Sequence, residues 1–302
     1  MKFLNWISII LIVLIVGSYT MGSIGIGNLD HEDKKDATFI NIKNQSIRVL
    51  EKGQGPDILL IHGTPGSIED MQPLFDSLAI DHRVIAYDRP GHGYSSAIDI
   101  PRNLNHNTLI AEEIVNYFQM DSATVIGHSY GGIIAMNMAV NKNDRVEQFY
   151  ILGSPLFTFN CETIYKLFNI PILSTSLSWL VSGPYSSSKI KEELPTRFAE
   201  DSKIPTQEFI NFRKELWSQP KVILSKSLET VQIEADVSDI IPKYNSLEEK
   251  VTIILGEEDV DYYITDLKAH LPLQNVEALF YEETGHFVQM ESLNRLLSDI
   301  RN

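Results

Sequence analysis

At 302 residues, 43% of them hydrophobic and 22% charged, the chain can bury a sizeable core, as one large α/β domain or one domain carrying an insertion. Its formal net charge of −15 weighs against nucleic acid and polyanionic substrates, because phosphate binding needs clustered Lys and Arg. Cys161 is the only cysteine, which excludes an intramolecular disulfide and Cys-rich zinc sites.

The chain opens with an almost uncharged apolar run, Phe3 to Met21, densest at Ile9 to Val16, with Lys2 before it and Asp30, Glu32 and Asp33 after it. Residues 1–22 therefore read as an export signal, either cleaved as a signal peptide or retained as a signal anchor. About twenty residues can just span a ~30 Å hydrocarbon core as a helix. Lys2 marks the cytoplasmic end, so the rest of the chain is expected outside: membrane-anchored if the segment is kept, secreted or periplasmic if it is cut. Residues 23–37 read as a polar linker.

Phe39–Ile42 and Ile47–Leu50 alternate as two early strands around a turn at Lys43–Ser46. Asp57–Ile61 is a third, more buried strand that runs into His62-Gly63-Thr64-Pro65-Gly66-Ser67. Such a loop is either an ordinary βα turn or one that leaves a backbone N–H pointing into a cleft, as a developing oxyanion needs. Ile68–Leu78 reads as helix and Arg83–Tyr87 as the next strand, ending at Asp88-Arg89-Pro90-Gly91-His92-Gly93-Tyr94-Ser95. Ala123–Ile126 reads as a buried strand and Ile133–Ala139 as a helix, with Gly127-His128-Ser129-Tyr130-Gly131-Gly132 between them. In that context G-x-S-x-G has a mechanical meaning. The glycines let strand and helix approach while Ser129 occupies a strained turn with its hydroxyl projecting from the sheet.

Val146–Leu152 is another strand, closing at Gly153-Ser154-Pro155. From Leu156 to about Asp239 the alternation lapses into aromatic residues and Ser/Pro breaks, with helical stretches such as Glu208–Trp217 and Val222–Leu228. Within it, Cys161 reads as a reactive thiol or, more ordinarily, as a small buried hydrophobe. Lys250–Leu255 restores a buried strand ahead of Gly256–Asp259, and Asn275–Phe280 is the last strand, ahead of Thr284-Gly285-His286-Phe287. The alternation implies a mostly parallel sheet with helices on both faces, and every loop named here falls at the carboxyl end of a strand, where ligands bind.

A serine hydroxyl needs a base within reach and a carboxylate to orient that base. Ser129, Asp259 and His286 follow the nucleophile, acid, histidine order of a serine hydrolase built on a nucleophile elbow. The N–H of Tyr130, directly after the nucleophile, is one oxyanion donor. No spacing of His and carboxylates matches a helical metal motif, so neither metal nor cofactor is expected.

HGTPGS, DRPGHGYS and GHSYGG, in this order and spacing, resemble the α/β-hydrolase fold superfamily over about residues 38–301. The branch resembled includes haloalkane dehalogenases, epoxide hydrolases, C–C bond hydrolases and small-molecule esterases. The resemblance implies an eight-stranded sheet built from residues 38–155 and 241–302, with a helical cap inserted at 156–240. It favours Asp259, at the Gly-x-x-Asp register, over Glu257, Glu258 and Asp261 as the acid, and gives the second oxyanion donor to the N–H of Thr64. It also implies a structural Asp88–Arg89 pair beneath its loop; His62, His92 and His128, beside the site, read as loop organisers rather than proton carriers. Phe157, Phe159, Tyr165, Phe168, Trp179 and Tyr185 then either line an acyl or aromatic pocket or bury the cap against the main domain.

Serine rather than aspartate at position 129 argues against dehalogenase and epoxide hydrolase chemistry. The expected activity is hydrolysis of a small, largely apolar ester through an acyl-enzyme. The alternatives are C–C bond hydrolysis of a diketone and a silent ligand-binding protein. The expected partners are an apolar small molecule and, if the first segment is uncleaved, a membrane.

Overall fold

The computed structural model describes residues 2–97, 101–157, 166, 168–260 and 264–301; Phe159, Cys161, Tyr165 and Asp261 lie outside the described residues. The strands are β1 (Thr38–Ile42), β2 (Gln45–Lys52), β3 (Asp57–Ile61), β4 (Arg83–Tyr87), β5 (Ala123–His128), β6 (Val146–Leu152), β7 (Lys250–Gly256) and β8 (Val276–Tyr281). They form one eight-stranded sheet in the order β1-β2-β4-β3-β5-β6-β7-β8. The β1–β2 and β2–β4 pairs are antiparallel and the rest parallel. Each expected strand forms within a few residues of its expected bounds.

The helices are α1 (Lys2–Ser23), α2 (Gln72–Leu78), α3 (Leu104–Tyr117), α4 (Tyr130–Asn141), α5 (Pro171–Val181), α6 (Pro184–Glu193), α7 (Gln207–Trp217), α8 (Pro220–Ile240), α9 (Ile264–His270), α10 (Val288–Glu291) and α11 (Leu293–Arg301). Strand residues alternate between two cores. Leu59, Ile61, Ile85 and Val125 face Ile110 and Ile114 of α3, Ile133 of α4 and Val237 of α8. Ile58, Leu60, Val84 and Ile126 face Leu74 and Leu78 of α2 and Leu296 of α11. Because both faces are covered, the central strands read as continuous apolar runs, each buried Leu or Ile contributing about 1.5–3 kcal/mol.

Three helical readings change. The Ile68–Leu78 helix divides into a 3-10 turn, Ile68–Asp70, and α2, which has a proline in its first turn. The Val222–Leu228 stretch is part of the longer α8, which starts at Pro220 and runs through Glu229, Glu234 and Asp236. Those acids hide the apolar face from a sequence reading. Helix α3 was not anticipated, although Asn103 caps it by accepting from His106 N and Leu104, Thr108, Ala111 and Val115 recur on one face.

Helix α1 lies against α5. Ser176 Oγ donates to Ile15 O at 3.1 Å, and a Cβ on Gly22 would sit 2.8 Å from Thr175 Cγ2. Beyond α1 the chain is tied to the start of α8: Leu29 N donates to Gln219 Oε1 and Lys221 N to Asn28 Oδ1, both at 2.8 Å. Among the described residues no helix is long and apolar enough to cross a membrane.

Candidate active site

The parallel register brings the loops after β3, β5, β6, β7 and β8 to one edge of the sheet. Ile61 stands opposite Gly127, His128 opposite Leu152, and Gly256 opposite Tyr281. Ser129 leaves the end of β5 at φ 54° and ψ −121°, a left-handed conformation that costs a non-glycine residue about 1–3 kcal/mol. The surroundings hold it there. Ser129 N donates to Leu152 O at 2.8 Å, and Ser129 O accepts from Gly132 N at 2.9 Å and from Ser154 Oγ at 2.7 Å. Glycine is required beside it, since a Cβ on Gly127 would lie 2.2 Å from Gly131 O and one on Gly63 would lie 2.9 Å from Ser129 Cβ. The second contact also shows that the loop after β3 abuts the serine.

Asp259 and His286 meet as the sequence order anticipated. His286 Nδ1 donates to Asp259 Oδ2 at 2.9 Å. Ser129, Asp259 and His286 are each only 7% exposed. Of the neighbouring acids, Glu258 has other work: its Oε2 accepts from Glu200 N at 3.0 Å. The histidine loop is also held from outside the sheet. His286 N donates to Arg197 O at 2.8 Å, and Glu291 accepts from Ala199 N and Gly285 N at 2.8 and 3.0 Å. His128 Nε2 donates to His286 O at 3.0 Å, and the two rings lie 4.7 Å apart. The residue before the serine thus touches the histidine.

Both oxyanion candidates border this point. Tyr130 opens α4, so its N–H has no acceptor within the helix. Thr64 follows Gly63 in the loop against Ser129, and its buried Oγ1 has no hydrogen-bond partner. The ring of Tyr130 lies 4.8 Å beneath the Arg89 guanidinium.

The expected Asp88–Arg89 pair does not form, because each residue has a better-placed partner. Asp88 Oδ2 accepts from Arg48 Nη1 at 3.2 Å and from Tyr94 N at 2.9 Å, and Oδ1 accepts from Ile68 N at 2.8 Å. Arg89, fully buried, reaches the opposite way. It donates to Gly63 O at 2.9 Å, to His62 O at 3.2 Å and, as a fork, to Glu229 Oε1 and Oε2 of α8 at 2.7 and 3.2 Å. Burial alone would raise the Glu229 pKa, but Arg89 and then His92 hold it well below the carboxylate range. Sequence reasoning missed Glu229, whose signal was an acid at helical spacing from buried Ser225 and Ile233.

The three flanking histidines are neutral. His62 accepts from Arg89 N at Nε2, 2.9 Å away, and donates from Nδ1 to Gly63 O at 2.8 Å. Burial and then Arg89 push its pKa well down, and the same causes bring His92 down to about 4. Burial, then His286, lowers His128. Among the described residues no group of three His, Cys, Asp or Glu is disposed to hold a metal ion.

Residues 56–170 match the family model of the α/β hydrolase fold. A 110-residue stretch, 36% of this chain, is 28% identical to (E)-2-((N-methylformamido)methylene)succinate hydrolase of Acinetobacter baylyi and spans 42% of that relative's length. A longer match, 284 residues at 25% identity, covers 85% of this chain and 92% of 2-hydroxy-6-oxo-6-phenylhexa-2,4-dienoate hydrolase of Burkholderia cepacia. The structure of an α/β hydrolase fold protein from Burkholderia ambifaria superposes with a TM-score of 0.75 at 18% identity, over 87% of this chain and 96% of that one. With the strand order and the elbow at Ser129, the chain is an α/β-hydrolase-fold protein.

Proposed function

We propose that the protein is a serine hydrolase that cleaves a small, largely apolar ester or related acyl compound through an acyl-enzyme. The observation that carries this reading is Ser129 in a strained elbow beside a buried Asp259–His286 pair. Ser129 Oγ attacks the carbonyl carbon while His286 Nε2 takes its proton, and Asp259 keeps Nδ1 protonated and stabilises the imidazolium. The N–H groups of Tyr130 and Thr64 receive the negative oxygen, each such donor typically worth ~3 kcal/mol in the transition state. Collapse expels the alcohol with the proton from His286, and water then attacks the acyl-enzyme by the same steps in reverse.

We read helices α5 to α8 as the cap; Leu194, Phe198, Ile210 and Leu216 pack in one apolar cluster with Phe287 beside His286, which supports an apolar acyl group. The reading keeps residues 1–22 as an export segment, retained as an anchor or cleaved, with the catalytic domain outside the cytoplasm, although no described helix is by itself long and apolar enough to cross a membrane. The apolar side chains that α1 exposes and the position of Lys2 support it. Release of the native protein by detergent but not by salt is the expected behaviour, whereas a soluble, shortened chain would mean cleavage.

The first test is Ser129→Ala in a sample whose near-ultraviolet dichroism is unchanged. Ester hydrolysis should fall by about 10⁴-fold or more, and labelling by a fluorophosphonate should vanish. Undiminished turnover would remove Ser129 from the mechanism. The long match to a 2-hydroxy-6-oxo-6-phenylhexa-2,4-dienoate hydrolase supports a second reading, C–C bond hydrolysis of a diketone. Turnover of such a ring-fission product in preference to simple esters would favour it. A folded protein that no fluorophosphonate labels would instead be a binding protein.

A further inference from the structure

Large exposed apolar side chains are not spread evenly over this surface. Among the described residues, those away from the first 26 positions and from residues 170–185 are Ile80 and Val260, each alone, and Leu109 and Tyr117 on α3. The rest belong to α1 and the chain just after it, or to α5 and the residues beside it. Ile9 to Leu14 and Val16 are each more than half exposed, and Ile170, Ile172 and Leu180 are about half exposed.

The interface between α1 and α5 is inverted relative to a helix pair in water. Where the two helices meet, the residues are small or polar: Ser18 and Gly22 on α1, and Thr175 and Ser176 on α5. The serine hydroxyls of both helices return to backbone carbonyls. Ser18 Oγ donates to Leu14 O, Ser178 Oγ to Ser174 O and Ser174 Oγ to Pro171 O at 2.7, 2.7 and 2.9 Å, and Ser176 Oγ crosses to Ile15 O. Ser18-x-x-x-Gly22 follows the small-x-x-x-small spacing that lets helices meet closely in lipid, and the serine hydroxyls are satisfied by backbone carbonyls. In water the large side chains would be inside and the serines outside.

We propose that α1 and α5 insert together, as one unit, into the hydrocarbon of a lipid bilayer, which seats the cap on the membrane. The inference rests on the reading of α1 as an anchor and adds α5 to it. Successive residues of a helix point about 100° apart, so the run Ile9–Leu14 is exposed on every side. No single protein face could cover it, but a surrounding solvent of acyl chains does. Between Phe3 and Met21, and again along α5, there is no charged residue. With a net charge of −15 the chain gains nothing from anionic headgroups, so the attachment is by insertion and indifferent to salt.

The test uses the full chain with Cys161→Ser and, in turn, Ile12→Cys, Ile172→Cys, Leu180→Cys or Ile80→Cys, each carrying an environment-sensitive fluorophore. Reconstituted into phosphatidylcholine vesicles containing a nitroxide on the acyl chain, the labels at 12, 172 and 180 should shift blue and be quenched, and the label at 80 should not. Quenching at 12 with none at 172 and 180 would leave α1 as a lone anchor and overturn the proposal. No quenching at any position would remove the anchor as well. Shielding of 172 and 180 without vesicles that grows with protein concentration would mean a second copy covers the face, and would also overturn it. Ile172→Asp with Leu180→Asp should weaken vesicle flotation by about tenfold or more. Hydrolysis of a water-soluble ester should stay unchanged in that variant.

Discussion

Two buried ion pairs fasten helices α8 and α7 to loops of the sheet, and they use the same chemistry with opposite results. In one, Arg89 from the loop after β4 holds Glu229 of α8 in a fork, with 0% and 1% of the two side chains exposed. In the other, Arg213 of α7 donates from Nε to Asp70 Oδ1 at 3.0 Å, with 8% and 2% exposed. Glu229 is held well below the usual carboxylate range. For Asp70 burial outweighs the attraction of Arg213, and the carboxyl is pushed up to about 6. Burial is nearly equal, so the partners decide. Glu229 takes both prongs of a guanidinium, an Asn107 amide at 3.3 Å and the edge of His92, whereas Asp70 receives one prong of Arg213 and the Ser67 N–H, and sits beside the negative Glu69. One fastening is permanently ionic. The other is set to respond to pH.

Breaking the first pair should have the largest effect. Glu229→Ala leaves Arg89 charged, buried and unpaired, at a cost of about 3–5 kcal/mol in denaturant unfolding. Arg89 also donates to Gly63 O beside Thr64, so kcat should fall further than KM changes. A cost below about 1 kcal/mol would show that the fork does not fasten the cap.

Asp70→Asn should cost less, and its cost should depend on pH. A folded-state pKa raised from 3.8 to about 6 means that the stability the wild-type carboxyl contributes is fully present below about 3.8 and is lost as pH rises through about 6. The amide cannot titrate. Measured against wild type, the variant's deficit should therefore be greatest near pH 4 and shrink towards pH 7, and a deficit that is flat across this window would refute the contrast.

His92 sharpens the comparison from the other side, with the smallest expected effect. Its folded pKa lies below its ordinary value, at about 4 against 6.5, so the stability it contributes is present above 6.5 and lost as pH falls towards 4. His92→Gln should lose that slope. Unfolding curves for wild type and variant should converge between pH 6.5 and 4, and parallel curves would mean His92 is not held neutral.

The contrast also marks what could be read from the residues alone. The eight strands, the elbow and the Asp259–His286 pair were legible because each rests on local pattern: buried runs of period two, glycines where two backbones touch, and a fixed chain order. Asp88 and Arg89 were misread as partners because adjacency in sequence says nothing about which way two side chains leave a turn. Glu229 was illegible for a related reason. Its partner lies 140 positions away, and an acid in a helix ordinarily signals a solvated face. The serines of α5 misled in the same sense, since Ser and Pro breaks read as irregular chain where the structure has a helix.

The order in which the chain supplies its catalytic groups has a consequence for biosynthesis. The serine arrives with β5, in the middle of the sheet, and its elbow is completed by Leu152 and Ser154 at the end of β6. The acid and the histidine come with β7 and β8, after the whole cap has been made, and the histidine loop is then bonded to Arg197 and Ala199 of that cap. A nascent chain of any length short of His286 therefore has Ser129 without its Asp259–His286 partner pair. On the serine-hydrolase reading proposed above, such a chain would be inert towards acyl groups until synthesis is almost finished.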